Sequence, residues 1–242
     1  MLPNGYMEFF SHFLEPLEIK YNTIVSKITQ RSNYVEVLDT RGNQFLADYV
    51  VVTVSLGILK KNYIEFIPKL SEEKTQLIKE IPVMIINKVM VEFEEKFWGN
   101  QFLIYLQDEK VPIYLGINFN KVNGKNILIF IVNDTIKYKL SSLTIEEIKK
   151  YLLIKLHQCY PNKSIKITQI TKTNWEKTTF TQGSFSDIPA SIGLDYVKIF
   201  RKPEGRVYFA GEHTSHKSAS TQGAWLSGVY TAREIEKRIN LK

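Results

Sequence analysis

RVYFAGEHTSHKSASTQGAWLSG, residues Arg206–Gly228, is the stretch whose reading decides how the rest of this chain is understood. Val207, Tyr208, Phe209 and Ala210 form a short apolar run suited to a buried strand, and Gly211 ends it with a residue free to adopt backbone angles closed to others. Glu212 places a carboxylate in the turn that follows. Ser220 and Thr221 then stand where N-cap residues belong, and Gly223, Ala224, Ser227 and Gly228 recur at helical spacing as a small-residue stripe that lets something approach closely. Strand, acidic turn and glycine-entered helix make a cradle. The first helical turn leaves N–H groups unpaired under a partial positive charge, suited to the electron-rich edge of a ligand, and Glu212 can accept from a sugar hydroxyl. The same spacing also describes a helix packed tightly on a sheet, and one such unit does not separate the two readings.

Working outward, a first helix over about Tyr6–Leu14 places Tyr6, Phe9, Phe10, Phe13 and Leu14 on one apolar face. Tyr34–Leu38 and Gln44–Val54, separated by the turn Asp39–Asn43, read as a hairpin leading into a buried strand over Tyr49–Val54. Gly57 breaks that pattern. Lys60–Leu70, with Pro68, reads as a crossover, and Ser71-Glu72-Glu73-Lys74 opens a helix ended by Pro82. Asn87–Phe93, Phe102–Leu106, Ile113–Phe119 and Ile127–Val132 fit an antiparallel or mixed sheet with turns such as Asn123-Gly124. Thr144–Tyr160 reads as an amphipathic helix stopped by Pro161, and Ile165–Ile170 as a further strand. The fold class expected is α/β with α+β character.

At 242 residues, 44% hydrophobic and 12% aromatic, the chain can bury a substantial core in one or two domains. The longest uninterrupted apolar stretch, Ile127–Val132, is far too short to span a bilayer, and the first residues lack a signal-peptide pattern. The single cysteine, Cys159, excludes an internal disulfide, fits a reducing and hence cytoplasmic setting, and reads as a buried free thiol. No cluster has metal-ligand spacing. The net charge of +7 is spread over scattered lysines with no run of five and no basic helical stripe, which argues against nucleic acid or membrane as a partner.

FAGEHTS…GAWLSG resembles the C-terminal signature of the FAD-dependent amine oxidases, a family of polyamine oxidases, spermine oxidases and flavin-dependent lysine demethylases. Ile19–Ile28, Val50–Leu70 (VVVTVSLGILKKNYIEFIPKL), Asn87–Trp98 (NKVMVEFEEKFW) and Gln182–Pro189 (QGSFSDIP) resemble further blocks of that family in its order. The likeness covers nearly the whole chain and is strongest to polyamine oxidases. The family begins with a βαβ unit whose G-x-G-x-x-G turn holds the FAD pyrophosphate. Here twelve glycines include no pair two apart, so the chain resembles roughly the second half of an amine oxidase. That implies a partial FAD-binding domain from residues 1–60 and 198–242 and a substrate domain from 61–197, with a sheet flanked by helices.

The resemblance implies a non-covalent FAD, a polyamine substrate (spermine, spermidine or their acetylated forms) and molecular oxygen. The reaction it implies oxidises a C–N bond to an imine that hydrolyses to an aldehyde and a shorter amine, with hydrogen peroxide as co-product. Lys88 falls on the lysine that in this family holds a water against the flavin. Strand alternation puts it on one face with Ile86 and Met90, where half-desolvation would disfavour its charged form. Val25 matches a backbone contact to the adenine end. Trp175 and the turn Gly183–Ser186 match the block lining the flavin, the alternative for Trp175 being plain core packing. Gly211, Glu212, Ser220, Thr221, Gly223 and Ala224 carry over as the remaining cofactor contacts. Two departures bear on specificity. Ser220 or Thr221 stands where many polyamine oxidases place a tyrosine that clamps the substrate amine, and Ile188 stands where they carry tryptophan. Two readings stay open: an amine oxidase completed by a dinucleotide-binding half, and a catalytically inactive fragment serving at most as a binding module, poorly soluble alone.

Overall fold

The computed structural model describes residues 5–15, 17–106, 113–133 and 143–240. In chain order the elements are α1 (Gly5–Leu14), β1 (Val25–Gln30), β2 (Val35–Asp39), β3 (Gln44–Ala47), β4 (Val50–Val52), α2 (Leu56–Lys61), β5 (Glu65–Ile67), α3 (Glu72–Glu80) and β6 (Val83–Met84). There follow β7 (Ile86–Phe93), β8 (Leu103–Tyr105), β9 (Ile113–Asn118), α4 (Asn120–Asn123), β10 (Ile127–Asn133) and α5 (Ile145–Cys159). The last are β11 (Ile167–Lys172), β12 (Phe185–Ser186), α6 (Tyr196–Arg201), β13 (Val207–Phe209) and α7 (Thr221–Asn240). The chain divides into two compact units, Met1–Ile19 with Ile85–Trp175, and Lys20–Met84 with Glu176–Lys242.

The first unit is built on a five-stranded sheet in the order β11-β7-β10-β9-β8, in which every pairing is antiparallel. In β7 the alternation is strict, with Asn87, Val89, Val91 and Phe93 buried and Lys88 and Met90 exposed. The buried face packs with a stripe from α5, Ile148, Leu152 and Leu156, spaced four apart so that they share one helical face. Thr144 starts that helix with a capping box, its hydroxyl accepting from the Glu147 N–H while the Glu147 side chain accepts from the Thr144 N–H. Cys159 is exposed, against the expectation of a buried thiol. It lies off the 148–152–156 stripe, and Tyr160 takes the next core-facing place by packing edge-on against Phe97.

The second unit holds a four-stranded sheet ordered β3-β2-β1-β5 and a separate parallel pair, β4 with β13. Its core gathers Ile28, Val35, Leu56, Ile81, Phe200 and Phe209. The hairpin read at Asp39–Asn43 is present, and Asp39 organises it. Its Oδ2 accepts from Asn43 Nδ2 and its Oδ1 from the N–H groups of Arg41 and Asn43, at 2.8 Å each, and these bonds, the Asn43 side chain's first, hold its carboxyl below the usual carboxylate range. The continuous strand expected over Gln44–Val54 is instead two. β3 ends the hairpin sheet, the chain turns at Asp48-Tyr49, and β4 leaves to pair with β13 some 150 residues on. Gly57 does not break the structure but lies inside α2, where an added Cβ would meet the carbonyl oxygens of Thr181 and Gln182 at 2.5 Å. The stretch read as a crossover contains β5, which pairs in parallel with β1. Residues 61–84 and 176–197 thus pack with this unit rather than with the five-stranded sheet, because β5 joins β1 and β12 joins β6.

Candidate functional site

β4 and β13 run in parallel, so both deliver their following residues to the same end, the carboxyl end of the sheet. This is where ligands sit in open parallel sheets. A cavity of about 350 Å³ lies there, lined by Thr53–Gly57 beyond β4, Gly211–His213 beyond β13, Phe180, Thr181 and Gly183–Phe185, and Ala224 from the first turn of α7. Gly57 lets α2 approach the Thr181 and Gln182 carbonyls, and Ser55 locks that contact, capping α2 at Ile58 N while donating to the Thr181 oxygen at 2.6 Å. Gly211 adopts φ 146°, ψ 168°, a conformation open to glycine, and a Cβ there would meet the His213 ring.

Glu212 is where the sequence reading placed a ligand-facing carboxylate, and the structure gives it three partners of the chain's own. Oε1 accepts from Ser186 N at 2.9 Å, and Oε2 accepts from Ser186 Oγ and Ala219 N at 2.7 Å each. It therefore ties the 183–186 turn to the loop before α7 and fixes two walls of the cavity. The N-cap expected at Ser220 is present, its Oγ accepting from Gly223 N at 3.0 Å while donating to Lys217 O. Thr221 is the first residue of α7 and is exposed. Gly223 is buried with the Lys217 carbonyl pressed against it, so that a Cβ would stand 2.0 Å from that oxygen. Ser227 accepts from Gly211 N at 2.8 Å, and Thr231 donates to Phe209 O, so that the small-residue face docks on β13. Gly228 departs from the expected stripe and is exposed with open space around it.

His213 was not singled out by sequence. It is 2% exposed, its Nε2 has no partner among the described residues, and its ring packs edge-on against Phe200. Burial first, and the Lys74 cation second, push its pKa down to about 4, so the ring is neutral at physiological pH. Lys74 is itself fully buried. Its ammonium donates to the carbonyls of Ile199, Phe200 and Lys202 at the end of α6, with Glu204 Oε1 at 3.9 Å, and desolvation brings its pKa down to about 8. Arg201 Nε and Tyr196 Oη, both from α6, donate to the Thr214 and Ser215 carbonyls and pin the turn after Glu212.

The remaining sequence-derived residues lie elsewhere. Val25 opens β1, half-buried against the core of the second unit, and does not line the cavity. Lys88 and Trp175 belong to the first unit and are close to one another. Lys88 N donates to Thr173 Oγ1 at 2.8 Å, and Trp175 N donates to the neighbouring Asn87 Oδ1 at 3.0 Å. Lys88 shares its face with Ile86 and Met90 as alternation required, but that face is open, with Met90 40% exposed. Lys88 is exposed because α5 covers the opposite face of the strand. Signals that could have found the missed cavity wall are present at Ser55-Leu56-Gly57, an N-cap and a small residue directly after a β-branched run.

The residues present fit the edge of a flavin: glycine-lined backbone, a capped helix N-terminus and a cavity at the carboxyl ends of parallel strands. Among the described residues no group of acidic, histidine or cysteine side chains is placed to hold a metal, and no helix is long and apolar enough to cross a membrane. A family model for flavin containing amine oxidoreductases matches residues 1–236. Polyamine oxidase 1 of Zea mays is 31% identical over 221 residues, covering 88% of this chain and 44% of that protein. Polyamine oxidase 3 of Oryza sativa subsp. japonica is 29% identical over 241 residues, and polyamine oxidase 2 of Arabidopsis thaliana 27% over 241, each alignment covering 99% of this chain. The chain spans about half the length of these relatives. With a glycine-walled cleft beyond β4 and β13 and a match over residues 1–236, the chain belongs to the flavin containing amine oxidoreductase family, whose cofactor is FAD.

Proposed function

We propose that this chain is the flavin-edge and substrate-facing half of an FAD-dependent amine oxidase that acts on polyamines. The observation that carries the reading is the cavity in which three glycines, Gly57, Gly211 and Gly183, sit where side chains would collide with neighbouring groups. These contacts join the chain's own segments and hold the cavity walls close and rigid, which suits a flat aromatic ligand better than a flexible one. The unit of 20–84 and 176–242 serves as the cofactor side, and the five-stranded unit as the substrate side.

FAD, bound without a covalent link, would supply the acceptor for hydride from the amine's α-carbon, with oxygen as the final oxidant and hydrogen peroxide as its product. The chain's residues bind and orient. The start of α7 at Ser220–Ala224 presents a positive dipole end toward an electron-rich ring edge, and Glu212 keeps the two flanking loops in register. Val25 contributes backbone contact to the adenine end and Trp175 an aromatic wall. Lys88 Nζ, on an open strand face and without a partner among the described residues, holds a water for the oxygen half-reaction. Full-length polyamine substrates are cations, so recognition rests on local groups rather than on the chain's net charge of +7.

The test is to incubate the purified chain with FAD, desalt it, and record absorbance at about 370 and 450 nm, the region of protein-bound flavin. Retained colour in a folded chain supports the reading, and peroxide release with spermine then tests the substrate. Lys88→Met is expected to retain flavin and slow its reoxidation by oxygen. A folded but colourless chain would favour the other reading, a binding module without catalysis of its own.

A further inference from the structure

At the opposite end of the β4–β13 pair, before the strands begin, lies a second cavity of about 340 Å³, whose charged lining is Arg31, Arg206 and Arg238 with Tyr49 between them. Asp48-Tyr49 enters β4 and Gly205-Arg206 enters β13, so three strand residues, about 10 Å, separate this end from the flavin-edge cavity. It is a different site on the same scaffold.

Its guanidinium groups are held in place but not neutralised. Arg206 donates from Nε to Ser32 O at 3.3 Å and from Nη1 to Asp48 O at 3.1 Å, and its guanidinium lies over the Tyr49 ring at 5.3 Å. Arg238, from the last turns of α7, donates from Nη1 to Gly205 O at 2.8 Å and to Tyr208 Oη at 3.1 Å. Neither has a carboxylate within ion-pair distance among the described residues. Only Arg31 is paired, with Glu36 Oε2 at 3.2 Å. The floor is kept clear by Gly205, at φ 61°, where a Cβ would strike the Gln30 side chain, itself engaged by Arg206 N. The carbonyl and hydroxyl acceptors engage Nε and Nη1 of Arg206 and Nη1 of Arg238, and Nη2 of both has no partner among the described residues. Both arginines line the same cavity, and a planar fork of donors held by backbone matches a tetrahedral or planar oxyanion.

We propose that this arginine cavity is a binding site for a phosphate group, carried by a small phosphorylated molecule or present as free phosphate, distinct from the flavin-edge site. Guanidinium forks bind phosphate bidentately, and the site's donors are pre-ordered, so little side-chain entropy is lost on binding. The volume exceeds that of one phosphate, which leaves room for the remainder of a phosphomonoester.

The experiment is isothermal titration of the purified chain at constant ionic strength with inorganic phosphate and, separately, with glycerol phosphate. Saturable one-to-one binding is expected, weakened at least tenfold in Arg238→Gln and again in Arg206→Gln. Arg238 is exposed, so its variant keeps the fold, checked by circular dichroism; Arg206→Lys, which keeps the charge and loses the fork, should weaken binding less than Arg206→Gln. FAD retention should be unchanged in Arg238→Gln, separating this site from the flavin-edge cavity. Tighter binding of the monoester identifies a phosphorylated molecule as the ligand, and equal binding identifies free phosphate. Absence of saturable binding, or binding that survives in the Arg206→Gln/Arg238→Gln double variant, overturns the proposal.

Discussion

Two glycines five residues apart on α7 make opposite predictions, and Gly223→Ala is the sharper. Helix propensity alone favours alanine over glycine by about 1 kcal/mol. The structure reverses the sign at Gly223, where the new Cβ would stand 2.0 Å from Lys217 O and 2.8 Å from Lys217 C. Both are backbone atoms, so a rotamer change gives no relief, and the carbonyl must retreat by more than an ångström. That carbonyl accepts from Ser220 Oγ at 2.6 Å, and the same loop carries Ala219 N, which donates to Glu212 Oε2 at 2.7 Å. Overpacking of about 1–3 kcal/mol and a disturbed N-cap of about 1 kcal/mol outweigh the propensity gain, for a net loss of about 1–3 kcal/mol. At Gly228 nothing lies within 4 Å of an added Cβ, so Gly228→Ala should stabilise by about 1 kcal/mol. Equilibrium urea unfolding followed by circular dichroism reads both without needing the cofactor. A Gly223→Ala chain as stable as the parent would refute the close approach of the Lys217 carbonyl to this helix start.

The other predictions concern charge. Glu212→Ala removes an acceptor from three donors and should cost about 2–4 kcal/mol in urea unfolding, while Glu212→Gln, keeping one oxygen, should cost about half that. His213, with a folded pKa of about 4 against 6.5, binds its proton more weakly when folded. Stability is therefore lost as pH falls from 6.5 toward 4, by about 3 kcal/mol, and His213→Phe should flatten unfolding free energies across that window. Lys74, with a folded pKa of about 8 against 10.5, gives the same sign in another window. Stability from this group should rise as pH climbs from 8 to 10.5, by about 3 kcal/mol, and thermal melts of Lys74→Met should lack that rise. Lys74→Met should also cost about 1–3 kcal/mol near pH 7, because three carbonyls at the end of α6 lose their donor.

Local chemistry explains which features were legible. Apolar alternation in β7, the 148–152–156 stripe of α5 and the N-cap at Ser220 depend on neighbours within a few residues, so sequence alone determined them, together with the family likeness and the cradle around Gly211. Pairing partners far apart in sequence decided the rest. Gln44–Val54 looks continuous but splits because β4 finds β13, and Gly57 looks like a breaker but is a contact point for Thr181 and Gln182. The three hydrogen bonds to Glu212 were not legible because their donors, on Ser186 and Ala219, converge on it only in the folded chain. Lys88 stayed open because α5 chose the opposite face of the sheet. The arginine cavity had no local signature at all: Arg31, Arg206 and Arg238 are scattered in sequence, and long-range packing of strand entries against the end of α7 brings their charges together.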